Sequence, residues 1–145
     1  MKEFKPMDPD YEARIRSSFE KQGVMKTIGA TLTKIAPGQV VIEFPYDPSL
    51  TQQHGYIHAG VVTTVVDSAC GYAAYTLMAA DSEVLSVEYK VNFMSPARGE
   101  RFKGIGNVVR PGRTITVCSG DVLAVEGGKE KVVATMLATM ISVAK

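Results

Sequence analysis

The chain has 145 residues, of which 46% are hydrophobic and 21% charged, and its formal net charge is +1. That length accommodates one domain with a single core, and the apolar content excludes a disordered chain. The small net charge gives no broad attraction to nucleic acid or acidic membranes. Two cysteines, Cys70 and Cys118, favour a reducing compartment over a disulfide scaffold, and residues 1–6 lack the apolar stretch of a secretory signal. We therefore expect a single domain, residues 1–145, in a cytoplasmic enzyme or binding module.

The N-terminal segment, residues 1–23, is predicted to carry an amphipathic helix. Asp8 followed by proline is typical of a helix start, and Gly23 is a plausible end. Ile15 and Phe19 share an apolar stripe, whereas Arg14 is expected to face water.

A β-hairpin is predicted after this helix. Residues 28–35 alternate between apolar and polar side chains, which indicates a half-buried strand. The turn signal Pro37-Gly38 then leads to a second strand at residues 40–44.

A long central helix is predicted at residues 60–78, and it is apolar nearly all the way round. Residues 61–80 approach the length of a membrane span, but Asp67 lies inside them and would be costly in a bilayer. We therefore predict a buried helix with no membrane span. Gly71 costs about 1 kcal/mol in a helix relative to alanine, so a packing reason for it is expected.

The C-terminal half is predicted to form four further strands, separated by Gly and Pro turns. They are Glu83–Phe93, Arg101–Val109, Thr114–Val125 and Lys131–Val143. A long apolar helix beside about six mainly antiparallel strands is an α+β layer arrangement. The edge strands of such a sheet need cover, and association of two subunits is a usual means.

The segment before and within the central helix carries the candidate chemistry. Ala59 and Gly60 lie at its N-terminus, where backbone N–H groups lack partners and stabilise a developing negative charge on a carbonyl oxygen. Asp67 lies about two turns further on and is a candidate general base or nucleophile. A structural carboxylate is the alternative for Asp67, and a brace for the loop is the more common role for His58.

Other motifs are weaker or absent. His54 and His58 have i,i+4 spacing but lack the glutamate of a zinc-binding H-E-x-x-H motif, and no third ligand is evident, so we expect no metal. Phosphate-binding and dinucleotide fingerprints are missing. The turn Arg110-Pro111-Gly112-Arg113 is basic, and a solvated turn and a phosphate site are equally compatible with its spacing.

Residues 54–74 read H-G-Y-I-H-A-G, then six further residues, then D-S-A-x-G-Y-A-A. This pattern resembles the H-G-G-(six residues)-D-x-A signature of the PaaI-like (phenylacetyl-CoA) group of hotdog-fold acyl-CoA thioesterases. The similarity extends through residues 85–97 and the turn at residues 110–113, and covers about residues 29–143. It implies a hotdog fold, in which an antiparallel sheet wraps a long helix, with an extra N-terminal helix.

The resemblance also implies roles for individual residues. Asp67 matches the catalytic carboxylate, Ala59 supplies a backbone N–H that polarises the thioester carbonyl, and Ser86 helps to hold the attacking water. Gln52 stands where asparagine is common, and Gln53 is its possible substitute.

A second set of residues matches the segments that cradle coenzyme A, which is part of the substrate rather than a separate cofactor. These residues are Phe93, Met94, Ser95, Pro96, Arg98, Arg110, Gly112, Arg113 and Thr114. The arginines are the expected phosphate contacts. The sites of the family lie between subunits, which implies a homodimer, or a homotetramer built from two dimers.

The sequence thus predicts an acyl-CoA thioesterase in which Asp67 activates water and the helix N-terminus, Ala59 and Gly60, stabilises the oxyanion. Two alternatives remain open. One is a non-catalytic acyl-CoA or lipid-binding module on the same fold. The other is a hydratase or dehydratase of enoyl thioesters, which would use His58 as its catalytic group.

Overall fold

A computed structural model describes residues 3–145 of the chain. Within them the elements follow in chain order as helices α1 (Tyr11–Glu20) and α2 (Gly23–Ile28), strands β1 (Thr31–Ala36) and β2 (Gln39–Pro45), a short 3-10 helix (Pro48–Leu50), helix α3 (Ala59–Tyr75), and strands β3 (Ser82–Phe93), β4 (Arg101–Arg110), β5 (Ile115–Glu126) and β6 (Lys129–Ala144). The predicted α+β hotdog architecture, with one long helix, six strands and an N-terminal helix, is confirmed.

The six strands form one antiparallel sheet in the order β1-β2-β4-β5-β6-β3. Helix α3 lies against its inner face, and the buried apolar side chains of helix and sheet make one continuous core. Within residues 3–145, strand β3 pairs only with β6 and therefore forms an edge of the sheet. Its twelve residues are mostly exposed and include several apolar side chains.

Glycines of the sheet, rather than of the helix, permit the close packing of α3. A Cβ atom added to Gly106 would overlap the backbone of Ala69 in α3. A Cβ atom added to Gly71 would lie 3.9 Å from the Met140 sulfur, which is an ordinary contact. The expectation that Gly71 serves packing is therefore wrong.

The N-terminal helical segment differs from the prediction at both ends. Helix α1 begins at Tyr11 rather than at Asp8, because the Asp8 carboxylate accepts a hydrogen bond from the Asp10 N–H in a preceding turn. Gly23 does not end the helical segment but begins α2. The chain leaves this second helix through Gly29, whose φ of 75° lies in the left-handed region that favours glycine. Strand β1 consequently starts three residues later than predicted. Residues 1–2 of the predicted segment lie outside the described residues.

Arg14 binds the C-terminal end of the central helix. Its guanidinium donates hydrogen bonds to the carbonyls of Tyr75, Met78 and Ala79 at 2.8, 3.0 and 2.6 Å. It also lies over the Tyr75 ring and within 3.5 Å of the Asp8 carboxylate. The prediction that Arg14 faces water is therefore wrong, because its guanidinium binds carbonyls at and just beyond the C-terminal end of α3, where the helix dipole is negative. Helix α3 ends at Tyr75, three residues earlier than predicted.

Candidate active site

The N-terminus of α3 offers one backbone donor to a ligand. The His58 side chain caps the helix, since its Nδ1 accepts a hydrogen bond from the Gly60 N–H at 2.8 Å. The N–H groups of Val61 and Val62 donate to the His58 carbonyl. Within residues 3–145 the Ala59 N–H makes no hydrogen bond. Of the two predicted oxyanion donors, Ala59 is thus available and Gly60 is occupied, and His58 serves as a cap.

Gln52 lies beside this helix end with its side chain fixed. The Oε1 atom accepts hydrogen bonds from the backbone N–H groups of His54 at 2.6 Å and Tyr56 at 3.2 Å. Because both partners are donors, the accepting atom is the oxygen, and the Nε2 donor is left for another acceptor. Gln53 is exposed and does not line the adjacent groove.

Ala59 and Gln52 line a groove of about 440 Å³, which we call the Ala59 groove. Its walls come from the loop before α3, the start of α3, and the end of β3 with the loop that follows. The lining residues are Gln52, Tyr56, Ile57, Ala59, Val62, Phe93, Met94, Ser95, Pro96, Ala97 and Val133. Four of the residues expected to contact coenzyme A, Phe93, Met94, Ser95 and Pro96, are therefore next to the available N–H.

Asp67 lies in a second groove, of about 280 Å³, between α1, α3 and the first half of β3, which we call the Asp67 groove. The Ser86 hydroxyl, expected to help hold the attacking water, donates a hydrogen bond to Asp67 Oδ1 at 2.7 Å. Burial raises the pKa of Asp67 above its usual value, and the Ser86 hydrogen bond partly offsets the rise. A carboxylate with a raised pKa is a better proton acceptor, which suits general-base chemistry.

The two grooves are separate within one chain. Asp67 follows Ala59 by eight residues of the same helix, which corresponds to about 12 Å along the axis. A carbonyl that accepts a hydrogen bond from the Ala59 N–H therefore lies too far from Asp67 of the same chain for direct attack.

The residues expected to cradle coenzyme A are divided in the same way. Arg98 is exposed near the start of β4, 3.9 Å from Glu126. Arg110, Gly112, Arg113 and Thr114 form the exposed turn after β4. The ten residues of β4 separate these two segments by about 30 Å, and the turn lines neither groove.

The Asp67 groove also contains residues that sequence reasoning missed. Tyr72 lines it together with Ser18 of α1, Gln22 between α1 and α2, and Glu83 of β3. Ser18 and Gln22 carry no motif, and their contacts with Tyr72 span 54 and 50 residues of sequence.

Between residues 3 and 145, no group of three or more His, Cys, Asp or Glu side chains is placed to hold a metal ion. In the same range, no helix is long and apolar enough to span a membrane.

Comparison with known proteins identifies the family. The thioesterase superfamily model matches residues 54–131. Human acyl-coenzyme A thioesterase 13 is 31% identical over 100 residues, which are 68% of this chain and 71% of the human protein.

Solved structures that resemble this chain point to the same family. A thioesterase family protein from Silicibacter pomeroyi has a TM-score of 0.92 and 50% identity, covering 93% of this chain and 99% of that one. The E. coli PaaI protein from the phenylacetic acid degradation operon shares the fold, with a TM-score of 0.84 and 15% identity over 93% of this chain and 94% of its own. The chain therefore belongs to the thioesterase superfamily, a family of hotdog-fold thioester hydrolases.

Proposed function

We propose that the protein hydrolyses acyl-CoA thioesters at sites shared between the two subunits of a homodimer. Asp67 of one subunit activates the water, and the Ala59 N–H and Gln52 Nε2 of the other subunit hold the thioester carbonyl. The observation that carries the proposal is the division of complementary groups between two grooves of one chain: a general base in one groove, and carbonyl donors in the other.

The chemistry of each groove supports this division of roles. Attack of water on a thioester carbonyl places negative charge on the carbonyl oxygen, and an unpaired N–H at a helix N-terminus stabilises that charge. Asp67 takes the proton of the water, while Ser86 holds the carboxylate in position. Collapse of the tetrahedral intermediate releases the free acid and the thiol of coenzyme A.

Strand β3 supports the dimer. An exposed edge strand of this length is a template for pairing with another chain, and Leu85, Val87 and Tyr89 are 57%, 55% and 45% exposed on it. The first half of β3 borders the Asp67 groove, whereas Phe93 at its end borders the Ala59 groove. Antiparallel pairing of two copies of β3 about its midpoint would therefore bring the Asp67 groove of each subunit against the Ala59 groove of the other.

The same pairing accounts for the divided coenzyme A residues. Ile115, which follows the basic turn, pairs with Ile141 of β6, and Ile141 pairs with Leu85 in the first half of β3. The turn at residues 110–114 is thus at the end of the sheet that would meet Phe93 and Arg98 of the other subunit. In this arrangement Arg110 and Arg113 of one subunit and Arg98 of the other would contact the phosphates.

The proposal extends to the location of the protein and to its assembly beyond a dimer. The free, buried thiols of Cys70 and Cys118 are consistent with a cytoplasmic location, where disulfides are rare. Assembly of two dimers into a tetramer stays a prediction.

Thiol release from a panel of aryl, short-chain and long-chain acyl-CoAs tests the activity. We expect Asp67→Asn to lower kcat at least about 100-fold, a typical contribution of a general base. Asp121→Asn is the matched control, because Asp121 is an exposed carboxylate on β5 outside both grooves. Unchanged kcat in folded Asp67→Asn would refute the role of Asp67. Coenzyme A binding without turnover by the wild type would favour the non-catalytic binding module instead.

A further inference from the structure

Two opposite charges flank Tyr89 in the middle of the exposed edge strand β3. Tyr89 pairs with Ala138 of β6, which is buried in the core, so the tyrosine lies on the inner face of the sheet. Its neighbours Glu88 and Lys90 point to the opposite, outer face. Lys90 accordingly pairs with Leu137, which is 59% exposed.

These two charges have no counterpart within the chain. Glu88 and Lys90 are exposed, and among residues 3–145 neither takes part in an ion pair. A second strand that runs antiparallel and carries the same two residues can place a lysine opposite each glutamate. The edge is therefore complementary in charge to a copy of itself.

The alternation of faces restricts where a two-fold axis can cross the paired strands. Residues directly opposite each other in an antiparallel pair share a face, and a slip of one residue reverses every side chain. The axis must therefore pass through a residue rather than between two residues. In the middle of β3, beyond the register shift that ends at Glu88, the candidates are Glu88, Tyr89 and Lys90.

Charge distinguishes these three axes. An axis through Glu88 or through Lys90 puts that residue opposite its own copy, and like charges directly opposite each other are destabilising. An axis through Tyr89 instead places Glu88 of each subunit opposite Lys90 of the other. The ion pair then occurs twice, because a two-fold axis repeats every contact.

The axis at Tyr89 also joins the two grooves. Phe93, which lines the Ala59 groove, follows Tyr89 by four residues. Its position in the other subunit is opposite Leu85, or opposite Val84 once the register shift before Glu88 is counted. Both of these residues line the Asp67 groove. The register that satisfies the charges is thus one that places the two grooves in contact.

We propose that β3 accepts a second copy of itself in a single register, with the two-fold axis at Tyr89 and an ion pair between Glu88 and Lys90 on each side of it. The inference rests on the proposed function, which pairs two β3 strands, and it adds the residues that select the partner strand. A strand with like charges at positions 88 and 90 is a poor partner for its own copy. It is a good partner for a strand with the opposite charge at both positions.

Charge reversal tests this register by sedimentation at low ionic strength. Glu88→Lys leaves two lysines beside the axis and Lys90→Glu leaves two glutamates, so each homodimer has like charges opposite each other on both sides. We expect the dissociation constant of either homodimer to rise at least about 10-fold. An equimolar mixture should form a heterodimer that dissociates within about 3-fold of the wild type, because both ion pairs return. Asp121→Lys is the matched control, since it reverses an exposed charge on β5 and should leave the dimer unchanged.

A cysteine at the axis gives a second measurement. Residues opposite each other in an antiparallel pair have Cα atoms about 4.5 to 5.5 Å apart, which a disulfide can span. Tyr89→Cys should therefore cross-link the dimer under mild oxidation. Val91→Cys, on the same face, should not, because its two copies would lie about 13 Å apart along the strands. Cys70 and Cys118 are buried and do not compete.

Three results would overturn the inference. They are charge variants that each dimerise like the wild type, a mixture that associates no better than its components, and a Tyr89→Cys dimer that does not cross-link. If Asp67-dependent hydrolysis persists in a wild-type dimer that gives any of these results, the register is wrong and the proposed function stands. A wild type that stays monomeric at every concentration overturns both the register and the shared sites.

Discussion

Ala59→Pro removes the proposed oxyanion donor and little else. Proline has no N–H, and Ala59 is the first residue of α3, the helical position at which proline is best tolerated. The residue before a proline must be extended, and His58 already is, with φ −59° and ψ 138°. The His58 cap on Gly60 does not involve the Ala59 N–H. The substitution therefore deletes one hydrogen-bond donor while the start of the helix is kept.

The expected loss of activity follows from the step of the reaction at which the Ala59 N–H acts. The Ala59 N–H stabilises charge that develops only on the way to the tetrahedral intermediate, so its removal lowers kcat rather than raising KM. Loss of one oxyanion donor costs about 100- to 1000-fold in kcat. The free energy of unfolding should change by less than about 1 kcal/mol, because no intrahelical hydrogen bond is lost.

The assay is steady-state thiol release with Ala59→Gly as the control, since glycine keeps the N–H. We expect Ala59→Gly to stay within about 10-fold of the wild type and Ala59→Pro to fall well below it. Equal kcat for the wild type and a folded Ala59→Pro variant would refute the oxyanion role of this N–H.

Four further predictions concern Ser86, Asp67, the glycines and Arg14. Ser86→Ala removes the hydrogen bond that lowers the pKa of Asp67, so the acidic limb of the kcat profile should move to higher pH. Asp67→Asn should raise Tm at neutral pH. The pKa of Asp67 is higher in the folded protein than in the unfolded chain. Ionisation of Asp67 therefore lowers the stability of the fold as the pH rises through the range between these two pKa values. Gly106→Ala should destabilise the fold by several kcal/mol because its Cβ meets helix backbone, whereas Gly71→Ala should stabilise it by about 1 kcal/mol. Arg14→Lys, which cannot bond three carbonyls in a fork, should cost about 2 kcal/mol.

Thermal and urea unfolding measure the stability changes, and pH-rate profiles measure the Ser86 effect. Arg16→Lys is the matched control for Arg14→Lys, since Arg16 is half exposed and pairs only with Glu12. An unshifted acidic limb in Ser86→Ala would show that a group other than Asp67 controls it. A Gly106→Ala variant as stable as the wild type would contradict the close approach of α3 to the sheet.

Local patterns were sufficient to predict the six strands and the central helix. The alternation of apolar and polar residues along β4, β5 and β6 indicates which face of each strand contacts the core. The apolar stretch around Asp67 indicates a helix that is buried on most sides. The contact between Asp67 and Ser86 was not predicted, since nothing local links two residues that lie 19 positions apart.

Contacts at long sequence separation were not predictable. Arg14 reaches carbonyls more than 60 residues away, and an amphipathic pattern cannot distinguish such an arginine from a solvated one. The hydrogen bond from Gln22 to Tyr72 depends on how the N-terminal helical segment packs across α3. The hydrogen bond from the Gly60 N–H to His58 is local, yet it depends on the side-chain torsion of His58 rather than on residue type.

In the proposed dimer, helix α3 serves two sites at once. Its N-terminal N–H polarises the carbonyl in one site, while Asp67, about 12 Å along the axis, activates water in the other. A single chain that brought both groups to one carbonyl would have to break the helix between them and give up the dipole that makes the N–H effective. Pairing two copies through an edge strand leaves the helix intact and covers the exposed apolar side chains of that strand. Catalysis and assembly would thus depend on the same strand, so a variant that separates the subunits should lose activity even though Asp67 and Ala59 are unchanged.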